Sequence, residues 1–167
     1  MKKLIYFMLA LLSVTLTLTS CGGDDTSIPY SVSSSTNSGT MEWKATTDGT
    51  YGSGFTTTMQ GLKIGYFKHT SNSSPVAPNV NHVRIYKNTV LSIASMEGKT
   101  IKKIVISCAP SEGSSSYCYD MTGLEGCADA KADIPTNTVT WYGSANRVVL
   151  QANNGQVRME NISVELE

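Results

Sequence analysis

Leu150-Gln151-Ala152-Asn153-Asn154-Gly155-Gln156-Val157-Arg158-Met159 is the stretch whose pattern decides the fold class. Apolar side chains stand at alternate positions on both sides of a central Asn-Gly pair, the period of a half-buried strand. Asn-Gly is the strongest short hairpin signal, because a type I′ turn needs positive φ at both central positions. A two-residue loop there pairs Asn153 with Gln156, Ala152 with Val157 and Leu150 with Met159, and sets Gln151 opposite Arg158 on the other face. Beyond it the apolar phase moves from odd positions (Val157, Met159) to even ones (Ile162, Val164, Leu166). That switch predicts a bulge or bend near Glu160-Asn161.

The same period recurs upstream. Met41, Trp43 and Ala45 alternate with Glu42, Lys44 and Thr46. Phe55, Thr57 and Met59 lead through Gly61 to Leu62, Ile64 and Tyr66, and Gly52-Ser53-Gly54 is read as a turn. Val83 and Ile85, Leu91 and Ile93, Ile101 to Ser107, and Val139 and Trp141 follow, with the Ile-Val-Ile centre at 104–106 expected to be buried on both faces. Trp43 and Trp141 are expected in the core. Met121 to Asp133 has room for one helical turn around Ala128 to Ala132. Nine or so short strands, 40 Ser and Thr residues and 16% charged residues predict an all-β protein, a single jelly-roll-like β-sandwich over residues 41–167.

The N-terminal segment has a different composition. Lys2 and Lys3 precede an apolar run from Leu4 to Leu16 and small polar residues, the three parts of a signal peptide over 1–20. Leu18-Thr19-Ser20-Cys21 reads as a bacterial lipobox, with Cys21 as the lipid acceptor and the membrane as a partner through acyl chains. Residues 21–40, Ser-rich from Thr26 onward, are expected to be a tether with too few apolar side chains for a core. Without Lys2 and Lys3, 11 basic residues face 13 acidic ones. This balance has no basic footprint and argues against nucleic acid as a partner.

Cys108, Cys118 and Cys127 form an odd set once Cys21 is set aside. Their separations allow Cys108–Cys118, Cys118–Cys127, or three free thiols. No G-x-S-x-G, H-E-x-x-H or phosphate-loop motif is present, so no catalytic residue is assigned. A carboxylate pair for glycoside hydrolysis stays open, since spatial separation defines it. A ligand face is the stronger expectation. Tyr66, Lys68, His82, Arg84 and Tyr86 lie on two strands joined by the Pro75–Pro78 loop, and Tyr142 offers a further ring. Aromatic faces with Arg and His donors suit a polysaccharide or host glycan; the bland alternative is a solvated outer face.

Two segments resemble known proteins. The leader is similar to those of Gram-negative outer-membrane lipoproteins, and Asp24 and Asp25 resemble the acidic surface-export signal of some gut anaerobes. Val83-Arg84-Ile85-Tyr86-Lys87-Asn88, Leu91-Ser92-Ile93, Ile101-Lys102-Lys103-Ile104-Val105-Ile106, Val139-Thr140-Trp141-Tyr142-Gly143 and Gly155-Gln156-Val157-Arg158-Met159 are similar to jelly-roll domains of gut-bacterial surface lipoproteins. Those domains resemble galactose-binding-like and carbohydrate-binding modules. The resemblance implies a lipid-anchored, surface-facing, non-catalytic glycan binder. A structural or host-interaction protein working through protein contacts is the alternative, and a small glycoside hydrolase ranks behind both. Modules of this kind often hold a structural calcium, for which Glu42 and Glu160 are the candidate ligands; no other cofactor is implied.

Overall fold

The computed structural model describes residues 30–35, 42–69, 75–78 and 82–167. The leader, Cys21, Asp24 and Asp25 lie outside the described residues. Within them the chain forms β1 (Tyr30–Ser35), β2 (Lys44–Asp48), β3 (Gly52–Met59), β4 (Leu62–Lys68), β5 (Val83–Ile85), β6 (Thr89–Ser95), β7 (Ile101–Cys108), β8 (Met121–Leu124), β9 (Lys131–Asp133), β10 (Thr138–Ala145), β11 (Arg147–Ala152) and β12 (Val157–Leu166). All pairings are antiparallel. The first sheet runs β1-β12-β7-β10-β9, with β5 also on β12; the second runs β2-β3-β4-β6-β11-β8. The expected all-β sandwich is therefore the observed architecture.

Period-two alternation explains why the sheets stack. Leu62, Ile64 and Tyr66 on β4, Leu91 and Ile93 on β6, and Val148 and Leu150 on β11 are fully buried on the inner face of the second sheet. Ile104 and Ile106 on β7, Val139 and Trp141 on β10, and Ile162, Val164 and Leu166 on β12 meet them from the first. Each such side chain contributes roughly 1.5–3 kcal/mol by leaving water. Trp43, half-buried, packs on this core as expected. Val105, expected to be buried, is half-exposed and points outward between two buried isoleucines.

The closing hairpin does not form. β11 belongs to the second sheet and β12 to the first, so Leu150 pairs with Leu91 and Gly123, while Met159 pairs with Val83 and Cys108. Residues 153–156 cross between the layers. Inner-facing alternation is the same whether two strands pair or face each other across a core about 10 Å thick. Neither Asn154 nor Gly155 has positive φ. Gly155 is needed for a different reason: a Cβ there would sit 2.6 Å from Cζ of the Tyr119 ring. The bulge does occur, with the β12 register shifting between Met159 and Asn161 so that both apolar phases face inward.

Three further expectations change. Residues 30–35, assigned to the tether, pair with Asn161–Leu166 as β1 and extend the first sheet. Gly52-Ser53-Gly54 begins β3; the turn precedes it, where Oδ1 of Asp48 accepts from the Thr50 and Tyr51 amides at 2.9 and 3.1 Å. Ala128 to Ala132 contains no helical turn, because Ala130 bridges Met121 and Lys131–Asp133 joins β10 as β9.

Candidate functional site

On the second sheet, three neighbouring outward positions on the adjacent strands β4 and β6 are small. Pairing aligns Gly65 with Ser92 and Lys63 with Ala94, which is next to Arg147. With almost no side chain at Gly65, Ser92 and Ala94, the sheet surface sinks there into a recess of about 220 Å³, walled by Thr56, Lys63, Phe67, Asp48 and Arg147. The Phe67 ring lies across Gly65, where a Cβ would come within 2.6 Å of its Cε2 and Cζ. Tyr51, Val90, Val149 and Leu124 pack beside that ring as a second, small apolar cluster.

Arg147 is the hub of this surface. Its Nε donates to Oγ of Ser92 at 3.2 Å, Nη1 lies 3.4 Å from Oε2 of Glu125, and Nη2 lies 3.9 Å from Oδ2 of Asp48. Tyr51 completes the network, its hydroxyl donating to Oε1 of Glu125 at 2.6 Å. Burial, followed by that bond to a carboxylate, pushes the Tyr51 phenol up to about 12, so it stays a donor at any physiological pH. Arg147 and Glu125 also line a wider hollow of about 630 Å³ bounded by Gly126–Ala128 and Gly143–Asn146. The recess and the hollow thus share Arg147 as a lining residue.

The residues expected to form a ligand face are dispersed. Tyr66 is fully buried, edge-on to Trp43 at 5.2 Å and stacked on Phe55 at 5.6 Å, with its hydroxyl donating to the Val76 carbonyl at 2.6 Å. Burial, then the neighbouring Tyr86 phenol, pushes its pKa upward. It is a core residue, not a ligand residue. His82 and Arg84 do meet, Nε of Arg84 donating to Nε2 of His82 at 3.0 Å, but His82 is only 8% exposed. Burial first, then Arg84 and Arg158, push its pKa down. Tyr86 lies just past the end of β5, half-buried. Tyr142 is 63% exposed on the outer face of the first sheet, its ring 5.3 Å from Nζ of Lys103. It shares a row with Lys103 and Glu165, whereas Arg84 shares one with Arg158, roughly 20 Å farther along β12.

The surroundings of His82 form a second, shallow groove of about 460 Å³ with Ser111, Glu112, Arg158 and Glu160. Its charged side chains are already engaged with neighbours in the protein. Arg158 lies 3.4 Å over the Tyr117 ring and 3.1 Å from Oε1 of Glu112, and the Tyr117 hydroxyl donates to Oε2 of Glu112 at 2.8 Å. That hydrogen bond leads in pushing the Glu112 pKa below the usual carboxylate range. The proposed calcium ligands do not come together: Glu160 lines this groove on the first sheet, and Glu42 stands beside Lys44 and Thr56–Thr58 on the second. Among the described residues, no three His, Cys, Asp or Glu side chains converge as metal ligands would.

Sequence reading missed the recess because its floor is defined by side chains that are absent. Asp48, Glu125 and Arg147 lie far apart in the chain, and only sheet pairing unites them. Comparison with protein-family models, curated proteins and solved structures finds no match for this chain.

Proposed function

We propose that this protein is a non-catalytic binding module that takes a neutral, hydroxyl-rich ligand, a glycan, in the recess around Arg147, and that lipid on Cys21 holds it at a bacterial outer membrane. The observation that carries the ligand class is the recess itself: a floor of Gly65, Ser92 and Ala94 ringed by two cations, Lys63 and Arg147, with the carboxylates of Asp48 and Glu125 beside them. Two positive and two negative groups cancel, which favours a polyol needing both donors and acceptors over a phosphate or a polyanion. Hydroxyl groups of Thr56 and Ser92 add donors that also accept. The adjoining hollow suits an oligosaccharide more than a single sugar.

Non-catalytic binding is supported by how the carboxylates are used. Asp48 accepts two backbone amides and faces Arg147, and Glu125 accepts the Tyr51 hydroxyl and faces the same guanidinium. Their oxygens hold a shape, whereas a general acid or nucleophile needs one aimed at substrate.

Affinity electrophoresis through gels of dissolved polysaccharides tests the reading. At least one glycan should retard the wild-type chain, and Ala94→Phe, which fills the recess from an outward position, should abolish the retardation. Lys63→Ala should weaken it about tenfold, the value of one hydrogen bond to a charged donor. Retardation that survives Ala94→Phe but is lost in Arg84→Ala would move the site to the His82 groove. If no glycan retards the chain, contacts with another protein become the better reading, for which the exposed ring of Tyr142 is the observation in hand. The anchor has its own test: labelled palmitate should enter the full chain and not a Cys21→Ala variant, and equal labelling of both would remove it.

A further inference from the structure

We propose that Cys108 and Cys118 form a disulfide that seals the intervening segment, residues 109–117, onto the sandwich, with Cys127 left as the odd thiol. The two cysteines are buried in the same core cluster and stand there as free thiols. Two consecutive residues, the last before β10 and the first within it, hold them there. The Cys108 amide donates to the Asn137 carbonyl at 2.8 Å, and the Cys118 thiol donates to the Thr138 carbonyl at 3.2 Å. Cys127 points elsewhere, its thiol 3.7 Å from the Arg147 carbonyl beside the second sheet. Of the pairings the sequence allows, Cys108–Cys118 is the one whose members are both fully in the core cluster and both bonded to the adjacent residues Asn137 and Thr138.

The sealed segment is the one that supplies Glu112 and Tyr117 to Arg158. It is tied to β12 by only two backbone bonds, Ala109 N–H to the Arg158 carbonyl at 2.8 Å and Arg158 N–H to the Tyr117 carbonyl at 3.2 Å. A cross-link at its base fixes both ends at once. The oxidant is a disulfide, R–S–S–R, of a small thiol or a thiol–disulfide oxidoreductase. One cysteine thiolate attacks it and releases R–S⁻. The second thiolate then displaces the remaining R–S⁻ from the mixed disulfide. Two electrons pass to the oxidant, and the two thiol protons end on two R–SH. Burial pushes both thiols up in pKa, so thiolate is scarce in the closed form and the bond forms while the chain folds or the segment opens.

The test uses the full chain exposed to oxidised glutathione, then unfolded in guanidinium with iodoacetamide. Cys127 should alkylate at once, whereas Cys108 and Cys118 should alkylate only after reduction. Glu-C cleavage after Glu112 should leave their two peptides joined. Oxidation should raise the melting temperature by on the order of 10 °C, and Cys108→Ala should lose that gain. Alkylation of both cysteines without reduction, or a linked peptide containing Cys127 or Cys21, would overturn the pairing. A bond that forms without raising the melting temperature would overturn its sealing role.

Discussion

Trp141→Ala should lower the melting temperature by roughly 10–20 °C, the equivalent of about 3–5 kcal/mol for a large buried ring. Trp141 is 2% exposed, on the inner face of β10. Its indole N–H reaches out of the core to the Ala128 carbonyl at 3.1 Å. That carbonyl belongs to the segment that crosses from β8, at the edge of the second sheet, to β9, at the edge of the first. One side chain therefore fills the core and pins the connection that closes this end of the sandwich. The two roles separate experimentally. Trp141→Phe keeps most of the apolar volume and loses the donor, so it should cost only about 1–3 kcal/mol, mainly for the carbonyl left without its partner. Chemical or thermal denaturation followed by far-UV circular dichroism reads both variants. Equal losses for Phe and Ala would mean that the bond to Ala128 dominates.

Gly123→Ala should be nearly as damaging, at about 3 kcal/mol or more, although it adds one methyl group. Gly123, on β8, pairs with Leu150 of β11, and its amide donates to Oδ1 of Asp129 at 3.0 Å. A Cβ on the same residue would press into the Cys127 and Ala128 carbonyl oxygens. Both obstacles are backbone atoms of the crossing segment, and one is the carbonyl that Trp141 holds, so neither side can yield cheaply. Gly49 provides the control: it has open space and an ordinary φ, and Gly49→Ala should leave stability unchanged or slightly raised. A Gly123→Ala protein melting with the wild type would show that the crossing segment is free to lift.

Much of the strand layout was legible because burial on one face writes period two into the chain. Val83 and Ile85, Leu91 and Ile93, and Val139 and Trp141 all face inward as read. The β12 bulge was legible for the same reason, since only an extra residue reconciles Met159 with Ile162. Sheet membership was not legible. Leu150 and Met159 face the core in either arrangement, and the local Asn-Gly signal pointed to a turn that the sandwich replaces with a crossing. Asn154-Gly155 also shows that a glycine can be selected for a neighbouring ring, here Tyr119, instead of for its φ.

For the candidate site, alternation put His82 and Arg84 together, and the structure joins them. Alternation also put Tyr66 on the inner face with Leu62 and Ile64, against its place in a ligand face, and the structure follows the alternation, with the Val76 carbonyl accepting from its buried hydroxyl. The recess was hidden more deeply. Gly65, Ser92 and Ala94 are unremarkable residues in sequence, and their joint effect depends on the register of β4 with β6 and of β6 with β11.

The most direct measurement is a titration of the isotope-labelled chain with a glycan that retards it, followed by amide chemical shifts. Binding at the recess predicts the largest changes at Lys63, Gly65, Ser92, Ala94 and Arg147, with His82, Arg84 and Arg158 unmoved. Changes centred on the second group, while the amides of the first stay still, would contradict the account.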